Sequence, residues 1–367
     1  MSTPTLSRTK SSLTKNQLPG YAIWAILAGA VVLGAAASSA LGFSIATFAV
    51  FTAVFFVVGG WSVTSVVEGP RKGRDRLATY LMYGAFLLAL LPLLSVLWTV
   101  LEKGLPGMTY NFLFTSMNGM TGAVDNESVQ NGTPVLGGAY HAVIGTLLIT
   151  FWTTLISVPV GLLAAVYLVE YGDGKVLSRA ITFFVDVMTG IPSIVAGLFA
   201  AALFGMIFGP GTRTGFVAAV ALSVLMVPVV VRSTEEMLRI VPNELREASY
   251  ALGVRKWRTI VKVVIPTAIS GIASGVTLAI ARVIGETAPI LVTAGFASAI
   301  NWNVFSGWMS TLPTYIYYQI LTPTSPTNVD PSIQRAWAAA LLLIIMVMLL
   351  NLLARLVARM FAPKTGR

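Results

Sequence analysis

The sequence predicts an all-α polytopic membrane protein with about eight transmembrane helices, on three observations. Of its 367 residues, 56% are hydrophobic and only 10% charged, against about 25% charged in soluble domains. Mean hydropathy is +0.81. The apolar residues fall in repeated runs of about 20, the length of helix that crosses roughly 30 Å of hydrocarbon. The runs are too continuous for the alternating strands of a barrel, so helices are the way to satisfy their backbone groups in lipid. An ordinary water-soluble enzyme is excluded. With no cysteine and a single histidine, His141, there is no disulfide, thiolate or zinc chemistry to expect, and no cofactor is expected in this chain.

Taken in order, an N-terminal tail (1–20) precedes two runs, 21–40 and 43–67, that read as a tight transmembrane hairpin. Arg8, Lys10 and Lys15 before an apolar run ending in small residues also fit a cleaved signal peptide. The second run begins so soon after the first that a retained span is the better reading. A basic linker, 68–76, holds Arg71, Lys72, Arg74 and Arg76 and leads into a larger block, 77–360. Its runs are 77–101, 143–169, 181–208, 215–231, 271–294 and 336–360, with a short tail at 361–367. Pro159 and Pro192 are expected to kink their helices. The long connections 102–142 and 296–335, rich in Gly, Asn, Thr, Ser and Pro, read as solvated loops. Within the first, Asn126 and Asn131 begin glycosylation-like triplets that match by chance in polar loops, and His141 reads as a surface or loop-packing residue.

Charge sets the orientation, because cytoplasmic loops retain Lys and Arg. Of 24 such residues, 20 fall in the two tails and the even-numbered connections. Lys103, Arg213 and Arg335 lie on the other side, and Arg282 lies within a run. Both termini are therefore expected in the cytoplasm. The net charge of +10 follows from this topology, so lipid rather than nucleic acid is the expected polar surface.

The longest inward connection, 232–270, reads as more helix than loop. Pro242 and Asn243 supply a breaker and an N-cap, Glu244 and Glu247 place acid near the positive end of the dipole, and Gly253 ends the helix. Leu245, Ala248 and Leu252 follow helical spacing along one side. Beyond Gly253 a basic, aromatic stretch around Trp257 suits a membrane surface. By its own pattern the segment is equally an interfacial helix with no partner. The order Glu247, Ala248, Ser249, then Gly253, then Ile265 and Pro266 resembles the cytoplasmic EAA loop of the permease subunits of binding-protein-dependent ABC importers, with Ser249 in place of the second alanine. The resemblance implies that Glu247, Ala248, Leu252 and Gly253 belong to a helix that docks on a separate ATPase. This chain has no G-x-x-x-x-G-K-[ST] phosphate loop of its own; Gly172, Gly174 and Lys175 lack the spacing.

Run 271–294 contains Arg282 and Glu286, and an intramembrane arginine costs roughly 2.5–3.5 kcal/mol on insertion scales. Four apart on one helix, the two can pair. Either the pair locks the bundle, or Arg282 presents its guanidinium to an anion while Glu286 holds it in place. Gly271 and Gly275 form a face that another helix can approach closely. Arg282 followed by Gly285, Glu286, Thr287, Ala288 and Pro289 resembles the phosphate-specific branch of these permeases, as does the stretch from Asp186 through Gly190 and Pro192 to Gly197. By position, Asp186 is as readily a charge bonded to a neighbouring helix as a pathway residue.

The resemblance covers roughly residues 141–360. It implies a six-helix type I permease core to which the 21–67 hairpin is an addition, and a substrate pathway that includes Arg282, Glu286 and Thr287. It also implies a similar C-type permease as partner, two copies of an ATPase that hold the ATP and magnesium, and an extracytoplasmic phosphate-binding protein. The location implied is a bacterial or archaeal cytoplasmic membrane. An ion-coupled secondary transporter and a permease for sulfate or molybdate are the competing readings.

Overall fold

The computed structural model describes residues 17–361, with side chains to residue 356. The side chains of Arg8, Lys10, Lys15, Arg359, Lys364 and Arg367, which carry part of the charge asymmetry, lie outside that set. Among the described residues every regular element is helical. Among these residues seven helices are long and apolar enough to cross a membrane, or eight if one bent pair counts as a single span. The chain divides into two compact units after Trp98.

The first unit holds α1 (Ala22–Ala40), α2 (Ile45–Val67) and the larger part of α3 (Pro70–Gly104). The expected hairpin forms between α1 and α2. Ser44 caps α2, and Thr47 completes a reciprocal capping box. Thr47 also lies 2.8 Å from Ser38 of α1, a bond between hydroxyls that ties the two helices at their turn. The linker at 68–76 is helix rather than loop from Pro70 onward, because proline with its fixed φ suits the first helical position. The amide of Leu18 donates to Glu68 (2.7 Å) and holds that carboxyl below its usual range.

The second unit is built around α9 (Gly215–Ile240), whose most apolar stretch is 67% buried, against 28% for α6 (Tyr140–Tyr171) and for α11 (Lys256–Ile284). Apolar burial at roughly 25 cal/mol per Å² makes α9 the axis of the unit. Ile149 of α6, Leu222, Met226 and Val230 of α9, and Val283 of α11 form one continuous core. Gly271 and Gly275 lie against Met237 and Ser233, so the helix that approaches this small-residue face is α9.

Two expected spans are not continuous. Run 181–208 is split into α7 (Val176–Thr189) and α8 (Ser193–Phe208), bent by 108°. Pro192 lacks an amide hydrogen and disfavours helix at the residue before it, so the chain breaks where a kink was expected. Run 271–294 begins earlier, at Lys256, and its helix ends at Ile284. A short α12 (Ala288–Thr293) follows the break. Near its start, α11 widens into a π turn at Ile260–Val264, just ahead of Pro266, whose missing donor and ring would otherwise conflict with an α-helical register.

The two long connections are not simply solvated. They contain α4 (Tyr110–Phe114), α5 (Gly122–Asn131) and α13 (Leu312–Leu321), which pack near the start of α14 (Asp330–Phe361). Arg335 is 2% exposed and sits at the centre of this layer. It donates to both oxygens of buried Asp125 (2.9 and 2.5 Å), to the Leu136 carbonyl (2.9 Å) and to Gln319 (3.3 Å). Asn126 accepts from Ser325, Thr327 and Asn328 (2.7, 3.2 and 2.8 Å), so its side chain is committed to this fold. His141 is buried rather than at the surface, edge-on to Tyr315 at 5.4 Å between ring centroids.

Candidate functional site

Arg282 occupies the last turn of α11, where a cation suits the negative end of the helix dipole. The helix stops two residues later, and the Glu286 amide closes the end by donating to the Val283 carbonyl (3.1 Å). Glu286 therefore lies in the break and not one helical turn beyond Arg282. The expected ion pair does not form: among the described residues Arg282 has no carboxylate partner, and its side chain is exposed. Glu286 and Thr287 are half-buried beside it.

The break is held from behind. α12 packs on α8 so closely that a Cβ on Gly197 would sit 2.7 Å from the Pro289 Cα. Thr293 donates to the Pro289 carbonyl (2.6 Å), and its own carbonyl accepts from the Thr214 amide at the start of α9 (3.0 Å). The arrangement offers an unpaired guanidinium, with donors in a planar fork, at an interrupted helix. That is the geometry for transient contact with an oxyanion.

Asp186 is paired with Arg232 of α9. Arg232 also binds Glu235 (2.9 Å), and Glu235 binds Arg239 (2.5 Å), giving a ladder of alternating charge that joins α7 to α9. The Asp186–Arg232 pair is a bond to a neighbouring helix. Sequence spacing within α9 makes the Arg232–Glu235–Arg239 part readable at i, i+3 and i+7. The link to Asp186 crosses 46 residues and has no local signal.

Just beyond the C-terminal end of α9, α10 (Asn243–Ala251) forms the expected short helix. Pro242, not Asn243, occupies the N-cap position, and the Asn243 side chain instead accepts from Arg246 (3.2 Å). The helix ends in a Schellman motif: the Gly253 amide donates to Tyr250 (2.9 Å) and the Val254 amide to Ser249 (3.2 Å), with Gly253 at φ +73°. Glu247, Ala248, Leu252 and Gly253 are all exposed, Leu252 at 83%. Ser249 faces inward and shares a hydrogen bond with Thr259 of α11 (2.8 Å), so the hydroxyl where the motif has alanine joins α10 to the next helix. Sequence reading missed Arg246, which binds Glu170 in the last, π-helical turn of α6 (2.9 Å).

Residues 157–367 match the family described as "Binding-protein-dependent transport system inner membrane component". Phosphate transport system permease protein PstA 1 of Mycobacterium tuberculosis (strain ATCC 25618 / H37Rv) is 45% identical over 78% of this chain and 88% of its own length. PstA of Yersinia pestis is 36% identical over 80% of this chain and 92% of its own. Among solved structures, an inward-facing MetNI methionine ABC transporter chain matches 61% of this chain and 94% of its own length, at 23% identity and TM-score 0.46.

Proposed function

The chain belongs to the PstA family of phosphate transport system permeases, and from that premise we propose how its residues serve ATP-driven import of phosphate. It is a multi-pass protein of the cytoplasmic membrane and the permease subunit of a phosphate ABC importer, working with other subunits. Permeases of this family carry no ATPase site. An ion-coupled secondary transporter and a permease for another oxyanion are not favoured by this membership.

In the proposed reading both termini face the cytoplasm. A C-type permease completes the pathway, a binding protein delivers phosphate to its outer mouth, and two ATPase copies hold the ATP and magnesium, this chain needing no cofactor of its own. The observation that carries the pathway is the unpaired Arg282 at the end of α11. An intramembrane cation left without a partner is stable where water or a partner chain reaches it, and there it can exchange hydration for an anion. Glu286, half-buried in the break, limits how strongly the anion is held, and Thr287 can donate its hydroxyl to it. Weak contact is what an importer needs, because phosphate must leave again. On the cytoplasmic side the exposed face of α10 around Glu247, Ala248, Leu252 and Gly253 docks on the ATPase, and its rigid-body movement opens and closes the bundle in alternating access.

Phosphate uptake into proteoliposomes holding the assembled importer, with binding protein at the outer face and ATP at the ATPase face, tests this. Uptake should require ATP and fall at least tenfold in Arg282→Gln with assembly intact. Wild-type uptake in that variant removes Arg282 from the pathway, and uptake without the ATPase removes the ATP-driven reading.

A further inference from the structure

The geometry points to the Arg246–Glu170 pair as the latch that passes movement of α10 into α6. The proposal rests on the reading of α10 as the ATPase-docking helix and names the residue by which that helix reaches a span to which it is not directly joined.

Chain connectivity links α10 to only two spans. Val241 and Pro242 join it to α9, and the turn after Gly253 joins it to α11. Each covalent link is reinforced by a side chain. Ser249 bonds Thr259 across to α11, and Arg246 donates to the Leu238 carbonyl in the last turn of α9 (3.0 Å) and to the Val241 carbonyl just beyond it (2.6 Å). For α6, which ends about 70 residues earlier, no such covalent link exists. Among the described residues the Arg246–Glu170 pair is the one salt bridge from α10 to another span. The Arg246 Nε and one terminal nitrogen converge on the same Glu170 oxygen, at 3.1 and 2.9 Å.

Both groups are shielded, with side chains 13% and 5% exposed, so the pair is not the solvent-screened kind that contributes little. A planar guanidinium that binds two helices and its own element at once is a rigid joint rather than a tether. The π turn at Tyr167–Tyr171 contributes to the fit: a widened turn changes the angular position of the residues after it, and here Glu170 is buried while Tyr171 is exposed. With both bonds made, α10 cannot shift against α9 without carrying the end of α6.

The test compares the assembled importer in proteoliposomes carrying Arg246→Gln, Glu170→Gln or both. The readouts are ATPase co-purification, basal ATP hydrolysis and phosphate imported per ATP hydrolysed. Expected are wild-type association, basal hydrolysis within about twofold, and a fall of at least fivefold in phosphate per ATP in each single variant. The double variant should be no worse than Arg246→Gln, as for two groups acting through one bond. Glu170→Gln lies outside α10 and keeps the test valid if Arg246→Gln assembles poorly. Unchanged phosphate per ATP in Glu170→Gln overturns the latch, as do losses that multiply in the double variant or loss of ATPase association in Glu170→Gln. Failure of the docking reading is distinguished by Glu247→Arg with Leu252→Glu. If the ATPase stays bound to that variant, α10 is not the docking helix; if it is released while Glu170→Gln still couples fully, the latch alone is wrong.

Discussion

Two arginines in this chain show how partners decide a charge's role. Arg335 is buried and donates to Asp125, Leu136, Gln319, Thr324 and Ser332. Arg282 is exposed and, among the described residues, makes no ion pair with a carboxylate. Breaking a buried pair by removing one partner strands the other and costs about 3–5 kcal/mol. Arg335→Leu should therefore lower the melting temperature of the purified protein markedly, and the added Asp125→Leu change should recover part of the loss by removing the stranded carboxylate. Arg282→Gln, having no pair to break, should melt within a degree or two of wild type while losing uptake. A large drop in melting temperature for Arg282→Gln would mean that its role is structural.

At the scale of elements, the break after Ile284 depends on α12 resting against α8. A Cβ at Gly197 would press on Pro289 backbone, which cannot swing away as a flexible side chain would. Gly197→Val should force the two apart at a cost of about 1–3 kcal/mol and reduce uptake several-fold with the ATPase still bound. Uptake at the wild-type rate would show that the position of α12 does not matter to the pathway. This contact also shows what the sequence could reveal. Spans were legible because lipid demands long apolar runs, and α10 was legible because its breaker, acidic first turn and terminal glycine are all local. The interruptions at 190–192 and 285–287 were marked by Gly and Pro, but the same residues also occur in merely kinked helices, so continuity could not be read. Once α11 stops at Ile284, the four-residue spacing of Arg282 and Glu286 loses its meaning. The Glu170, Asp186 and Asp125 partners of Arg246, Arg232 and Arg335 stand 76, 46 and 210 positions away, and no periodicity points across such distances.

Across the whole molecule, the same α10 both presents an outer face and is bonded inward to three spans, and the two faces use different residues. Arg246 and Ser249 point inward to α6, α9 and α11, whereas the side chains of Glu247 and Leu252 make no hydrogen bond or ion pair among the described residues and stand open. An exposed leucine at 83% in a helix otherwise rich in polar residues gains nothing for the isolated chain, since surface substitutions away from such bonds usually change stability by less than about 0.5 kcal/mol. Changing Glu247 to Arg and Leu252 to Glu together should therefore leave melting and membrane insertion as in wild type, release the ATPase during co-purification, and abolish ATP-dependent uptake. The three readouts separate the possible roles of this face. A fall in melting temperature would make Leu252 part of the fold, whereas retention of the ATPase would place the docking surface elsewhere on the chain. Only release with the fold intact makes α10 the point where work done on a separate subunit enters this one.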